Sequence, residues 1–175
     1  DDPLLYKGVY DKKAMKKYAE GLKTTPQSPG QTSEVRDENG VILADKKFPD
    51  MKKLTDYLHG LGLKTGIYSS PGPMTCGGYT GSFRHEKQDA KRIAEWGFDF
   101  FKYDWCSYKF AQADVNTLDG KIKPFRRMGK ELKKQNRDII FNLCQYGMAD
   151  VWKWAPEIGG HLWRVDLDLG WEIQR

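Results

Sequence analysis

The sequence predicts a parallel α/β fold and, within that class, an incomplete (β/α)8 TIM barrel running from about the end of strand 2 to strand 6. Three observations lead there. Apolar strand-like runs alternate with amphipathic helices at intervals of about 25–40 residues, the pattern of right-handed βαβ units. Polar residues fall just after the strands, at Ser69, Asp104, Gln145 and Asp168, where a barrel builds its site from strand ends and βα loops. No strand leads into a Gly-rich phosphate turn of the kind that marks a doubly wound switch point; Thr75-Cys76-Gly77-Gly78 has the glycines without the spacing. Alternation by itself fits barrel and doubly wound sheets equally, and the position of the polar residues favours the barrel.

The elements follow in order. Asp1-Asp2 opens the chain as though at the end of a strand, and residues 3–36 read as an extended βα loop with Pro26, Pro29, Gly30 and a short helix at about 11–22. Asp37-Glu38-Asn39-Gly40 is a turn, with Asn-Gly supplying a positive-φ position. Asp50 caps a helix in which Met51, Leu54, Tyr57, Leu58 and Leu61 recur at helical spacing, before Gly60 and Gly62 stop it. A short buried strand over 64–69 leads into a Gly/Pro-rich loop, and a helix over 85–96 ends at Gly97. Phe98–Tyr103 is the next strand. Beyond it lie a helix at about 120–136, a strand over 138–143, a short helix or turn over 149–155 and a strand over 161–165, with Leu169–Arg175 opening another helix. All 175 residues are expected to form part of one catalytic domain.

Composition narrows the classes. The chain is 39% hydrophobic and 30% charged, hence globular rather than disordered. No apolar run of about 18 residues is present, so no membrane span is expected. The net charge of +5 would suit an anionic partner, but lysines alternate with acids along the helices and no nucleic-acid partner is expected. Six Trp suit stacking on sugar rings and equally suit a large core. His59, His85 and His161 are scattered without metal-ligand spacing. His59 is expected on a helix surface and His161 packed at a strand opening. No metal or organic cofactor is implied.

Two acids at strand ends are candidates for chemistry. Asp104 closes the run Phe100-Phe101-Lys102-Tyr103-Asp104, and Asp168 follows the strand over 161–165. A retaining glycosidase needs two carboxyls about 5–5.5 Å apart, one to attack the sugar carbon and one to protonate the leaving oxygen. Capping of a loop by Asp104 and of a helix by Asp168 would account for the same residues. Lys102, two positions before Asp104, shares its face of the strand, and a nearby cation favours the charged form that a nucleophile needs.

Beyond single residues, a series of motifs occurs in one order: Leu61-Gly62-Leu63-Lys64-Thr65-Gly66-Ile67-Tyr68; Thr75-Cys76-Gly77-Gly78-Tyr79-x-Gly81-Ser82; Gln88-Asp89-Ala90; Trp96-Gly97-Phe98-Asp99; Lys102-Tyr103-Asp104-x-Cys106; Cys144-Gln145-Tyr146-Gly147; and Trp163-Arg164-x-x-x-Asp168. Over roughly residues 37–171, with Asp1-Asp2 an outlying match, the chain resembles glycoside hydrolase family 27, the α-galactosidases and α-N-acetylgalactosaminidases.

The resemblance implies a retaining double displacement on terminal α-linked galactose, with Asp104 as nucleophile and Asp168 as acid/base. Asp166 shares a face with Asp168 and Arg164, and the four-residue step from Arg164 selects Asp168. Asp1 and Asp2 match the acids that bind the 4- and 6-hydroxyls, although Pro3-Leu4 stands where the family has Cys-Trp. Lys102 would donate to ring hydroxyls, Arg164 would serve the O2/O3 side, and Tyr68 would line the pocket or simply pack at its strand end. Gln145 occupies the position that reads the 2-substituent, without the charge of the Glu often found there. Cys76 and Cys106 match a disulfide, which implies an oxidising compartment and so a secreted or periplasmic protein whose signal lies outside this chain. Cys144 is left as a buried free thiol. A β-L-arabinopyranosidase, an α-N-acetylgalactosaminidase and a non-catalytic carbohydrate-binding barrel fragment are the alternatives. The complete protein is expected to be active on an α-galactoside and this segment alone weak or inactive.

Overall fold

In the computed structural model the described residues are 36–167. Asp1, Asp2, the helix expected at about 11–22, Asp168 and the helix expected from Leu169 lie outside them. Helix α1 spans Met51–Gly60, strand β1 Gly66–Ser69, α2 Glu86–Trp96, β2 Phe100–Asp104, α3 Leu118–Leu132, β3 Ile140–Cys144, α4 Val151–Trp154 and β4 Leu162–Trp163. The four strands form one parallel sheet in chain order, β1-β2-β3-β4. The fold is an incomplete (β/α)8 barrel. No described helix is long and apolar enough to cross a membrane.

Local chemistry sets the helix ends. The Asp50 carboxylate accepts the Lys53 amide at 2.9 Å and starts α1. Thr117 does the same for α3 through the Gly120 amide. Gly97 stops α2 in the left-handed conformation, at φ 88°. A side chain there would press on Thr55, whose hydroxyl donates to the Trp96 carbonyl. Arg36 reaches α2 from outside, its guanidinium forking onto both oxygens of the buried Asp89 at 2.6 and 2.7 Å.

Strand alternation divides the sheet into two faces. Phe101, Tyr103, Phe141 and Leu143 are all but fully buried against the helices. Phe125 from α3 meets Tyr103 edge-on at 5.8 Å and stacks with Trp105 at 5.9 Å, while Trp154 closes over it from α4. Each such side chain contributes roughly 1.5–3 kcal/mol by leaving water. The other face carries Tyr68, Lys102, Asp104, Asn142 and Cys144, with Ile140 and Leu162 about half exposed on it.

The structure corrects several expectations. Tyr57 and Leu61 lie on the solvent side of their helix, 65% and 59% exposed, and only Met51, Leu54, Thr55 and Leu58 turn toward the core or its edge. Helix α3 ends at Leu132 because the chain continues in tighter three-residue turns, with the Lys134 and Gln135 amides bonding the Glu131 and Leu132 carbonyls. Strand β4 is two residues long rather than five. His59 is not a plain surface residue, since its Nε2 lies 2.7 Å from Asp99 Oδ2. His161 is exposed rather than packed, and its Nδ1 accepts the Phe141 amide, standing in for a strand carbonyl at the start of the β3–β4 pairing.

Candidate active site

The carboxyl ends of β1, β2, β3 and β4 bring one set of polar residues together. Parallel pairing sets Tyr68 beside Lys102 and Asp104 beside Cys144. Pleating then aims Lys102 and Asp104 to the same side of β2. Lys102 Nζ lies 3.7 Å from Asp104 Oδ2 and 5.6 Å from the centre of the Tyr68 ring. The Asp104 side chain is only 9% exposed while Lys102 remains 38% exposed, so the carboxylate is sheltered and its cation faces the open side.

The other carboxylate oxygen has a different partner. Tyr146 donates its hydroxyl to Asp104 Oδ1 at 2.8 Å. Burial, and next the Asp104 charge, push the Tyr146 phenol well above its ordinary range, so it remains a donor. The Arg164 guanidinium lies 5.7 Å from the centre of the Tyr146 ring, and its amide donates to the Leu143 carbonyl. Tyr146 was visible in the sequence as part of Cys144-Gln145-Tyr146-Gly147 but carried no role there. The signal that would have found it is a ring-bearing residue next to a glycine directly after a buried strand.

A loop closes over the first two strands. Cys76 and Cys106 form a disulfide. Tyr68 Oη lies 3.0 Å from Cys106 Sγ, donating to a sulfur that has no proton, and accepts the Cys76 amide at 3.3 Å. Ser107 adds a second tie, accepting the Met74 amide at 2.8 Å and donating to the Met74 carbonyl at 2.6 Å. Gly72 packs so tightly on Ser107 that a Cβ would collide with it. Among the described residues, Cys76, Asp104 and Cys106 are the one trio of potential metal ligands in reach of each other. The two sulfurs are spent on each other, which leaves a single carboxylate.

The remaining candidates differ in exposure. Gln145 is 1% exposed, with Nε2 donating to the Met148 carbonyl at 3.1 Å. Cys144 is buried and free, and burial together with the Asp104 carboxylate pushes its thiol up to about 12. Asp166 is exposed and accepts the Leu167 amide. Lys102, Asp104, Tyr68 and Arg164 therefore gather at one end of the sheet, whereas Asp1, Asp2 and Asp168 fall outside the described residues. A sheltered carboxylate with one oxygen tied to a phenol and the other beside an ammonium can act as an oriented nucleophile.

Comparisons with known proteins show the family and the fold. The family model described as alpha galactosidase A matches residues 25–157. The chain is 44% identical over 136 residues to alpha-galactosidase A of Cellvibrio japonicus, covering 77% of this chain and 31% of that protein. It is 41% identical over 137 residues to alpha-galactosidase 2 of Arabidopsis thaliana, covering 77% and 32%. Among solved structures, the alpha-galactosidase of Saccharomyces cerevisiae with raffinose superposes with a TM-score of 0.70 at 32% identity, over 76% of this chain and 29% of that one. A β-L-arabinopyranosidase from Geobacillus stearothermophilus shares the fold, with a TM-score of 0.58 at 18% identity over 91% and 51% of the two chains. The chain spans about a third of the length of the curated relatives it matches.

Proposed function

The chain belongs to the alpha galactosidase A family, and on that premise we propose that the whole protein is a retaining exo-glycosidase that removes terminal α-linked galactose from oligosaccharides or glycoconjugates. The observation that carries this reading is the asymmetric hold on Asp104, with Tyr146 on Oδ1 at 2.8 Å and Lys102 facing Oδ2 at 3.7 Å. Asp104 is the nucleophile. Its Oδ2 bonds to the anomeric carbon as the glycosidic C–O bond breaks, and Asp168 supplies the proton that the leaving oxygen takes up. Water, deprotonated by Asp168, then cleaves the galactosyl ester and restores the original configuration.

Asp1 and Asp2 bind the 4- and 6-hydroxyls, because a carboxylate accepts hydrogen bonds from adjacent hydroxyls. Lys102 donates to the ring hydroxyls from the exposed side of the pocket. Arg164 serves the O2/O3 side, Tyr68 lines the wall, and Gln145 reads the 2-substituent after turning its amide away from Met148. The segment 1–175 is part of a single catalytic domain in which residues 3–36 form an extended βα loop. The Cys76–Cys106 bridge supports a secreted or periplasmic setting.

The test is hydrolysis of p-nitrophenyl α-galactoside by the whole protein. Asp104→Ala should abolish turnover, and azide should restore product release in Asp104→Gly as the β-galactosyl azide. Full activity in Asp104→Ala would sink the assignment. Parallel assays on the α-N-acetylgalactosaminide and the β-L-arabinopyranoside identify the preferred sugar.

A further inference from the structure

Tyr146 lies two residues beyond the end of β3, yet its hydroxyl reaches a carboxylate on β2. The backbone makes this reach possible. Tyr146 is left-handed at φ 62°, a conformation that side-chain-bearing residues adopt rarely, and Gly147 follows at φ 77°. A Cβ on Gly147 would collide with the Val165 carbonyl oxygen, so the turn is packed against the chain leaving β4. Two successive left-handed residues reverse the chain over the end of the sheet and return the Tyr146 ring toward Asp104. The Arg164 guanidinium lies over the ring, 5.7 Å from its centre.

The chemistry of the carboxylate gives this contact a direction. While Asp104 is a free carboxylate, Oδ1 carries negative charge and is a strong acceptor. When Oδ2 bonds to the sugar carbon, Oδ1 becomes the carbonyl oxygen of a neutral ester and the hydrogen bond weakens. It strengthens again as water attacks and the ester C–O bond breaks, with the electron pair returning to the carboxylate. An interaction that grows toward a transition state accelerates that step.

We propose that Tyr146 is a positioning residue which commits Oδ1 of Asp104 and so leaves Oδ2 to attack, and that its hydroxyl mainly accelerates release of the sugar from the enzyme. This rests on Asp104 being the nucleophile. It gives Tyr146 a part in the second half of the reaction, as the donor that receives the departing carboxylate.

The experiment compares Tyr146→Phe with the parent whole protein on p-nitrophenyl α-galactoside. Loss of one hydrogen bond to a charged group should lower kcat by about 10- to 100-fold. Because the sugar ester then accumulates, KM should fall with kcat, kcat/KM should change several-fold less, and a burst of p-nitrophenolate should precede the steady state. Added azide, a better nucleophile toward the ester, should raise kcat of the variant. Tyr146→Leu separates packing from hydrogen bonding: a Tyr146→Phe enzyme with unchanged Tm but the same kinetic defect as Leu supports the proposal. Unchanged kcat in Tyr146→Phe, or a fall in kcat with KM unchanged and no burst, overturns it. An Asp104→Gly control run with azide tells the two readings apart. If azide fails to rescue that control, the nucleophile assignment is wrong; if it rescues and Tyr146→Phe shows no burst, only the role of Tyr146 is wrong.

Discussion

Cys144 lies directly opposite Asp104 in the β2–β3 register, fully buried, with its sulfur under the charge of that carboxylate. Its thiol is pushed up to about 12 by burial first and by Asp104 second, so it carries almost no thiolate near neutral pH. In the folded protein Cys144 should therefore resist a thiol reagent such as DTNB for hours at pH 8 and react within minutes in denaturant. Rapid labelling of the native protein would contradict the buried placement.

Lys102 stands between Asp104 and the open side of the site. Replacing it with Met keeps the stem and removes the ammonium. In the whole protein kcat/KM for an aryl α-galactoside should fall roughly 10- to 100-fold, the range for one charged hydrogen bond. The Tm should stay nearly constant, because the ammonium is partly solvated and its ion pair adds little to stability. A Lys102→Met enzyme with wild-type kcat/KM would remove Lys102 from the site.

Asp99 gathers the Thr65 amide, His59, Lys64 and Arg137 around one carboxylate at the opposite end of β2. Burial alone would raise its carboxyl, but the Thr65 amide, His59, Lys64 and the Arg137 charge together hold it well below the usual carboxylate range. A carboxyl depressed on folding stabilises the native state above its unfolded value near pH 4, and the stabilisation is lost as pH falls further. Asp99→Asn should cost roughly 2 kcal/mol at pH 7. Its urea midpoint should also depend less on pH between about 4 and 2 than that of the parent. Equal slopes in that window would refute the account.

The Cys76–Cys106 bridge closes a span of 30 residues. By the chain-entropy relation, Cys76→Ser with Cys106→Ser should lower stability by about 3–4 kcal/mol. Dithiothreitol should lower the Tm of the parent and leave that of the double variant unchanged. A reductant-insensitive parent would argue that the ties from Ser107 to Met74 suffice on their own.

The helices and strands were legible because their signals are local. Asp50, Gly97 and the spacing of Ala90 and Ile93 act within one or two turns, and the structure agrees there to within a few residues. Asp104 was legible as a charge ending an apolar strand, and Lys102 as its neighbour on the same face. The pairing of Cys76 with Cys106 came from resemblance, since three cysteines allow three pairings. Two contacts were not legible at all. His59 and Asp99 are 40 residues apart and meet only because α1 packs beside the start of β2. Tyr146 and Asp104 are 42 residues apart and meet only because two consecutive residues take a left-handed backbone, which composition does not announce.

The sheet's strand order repeats its chain order, β1-β2-β3-β4. Each strand therefore finds its neighbour one helix later, so the sheet can grow in the order in which a ribosome releases it. The chain up to Cys144 already contains β2 and both of its flanking strands. The turn at Tyr146 and the arrival of Arg164 come after. The seat of Asp104 is thus built from a strand and its two neighbours alone, whereas the ring that bonds it is carried by the turn that follows them in the chain.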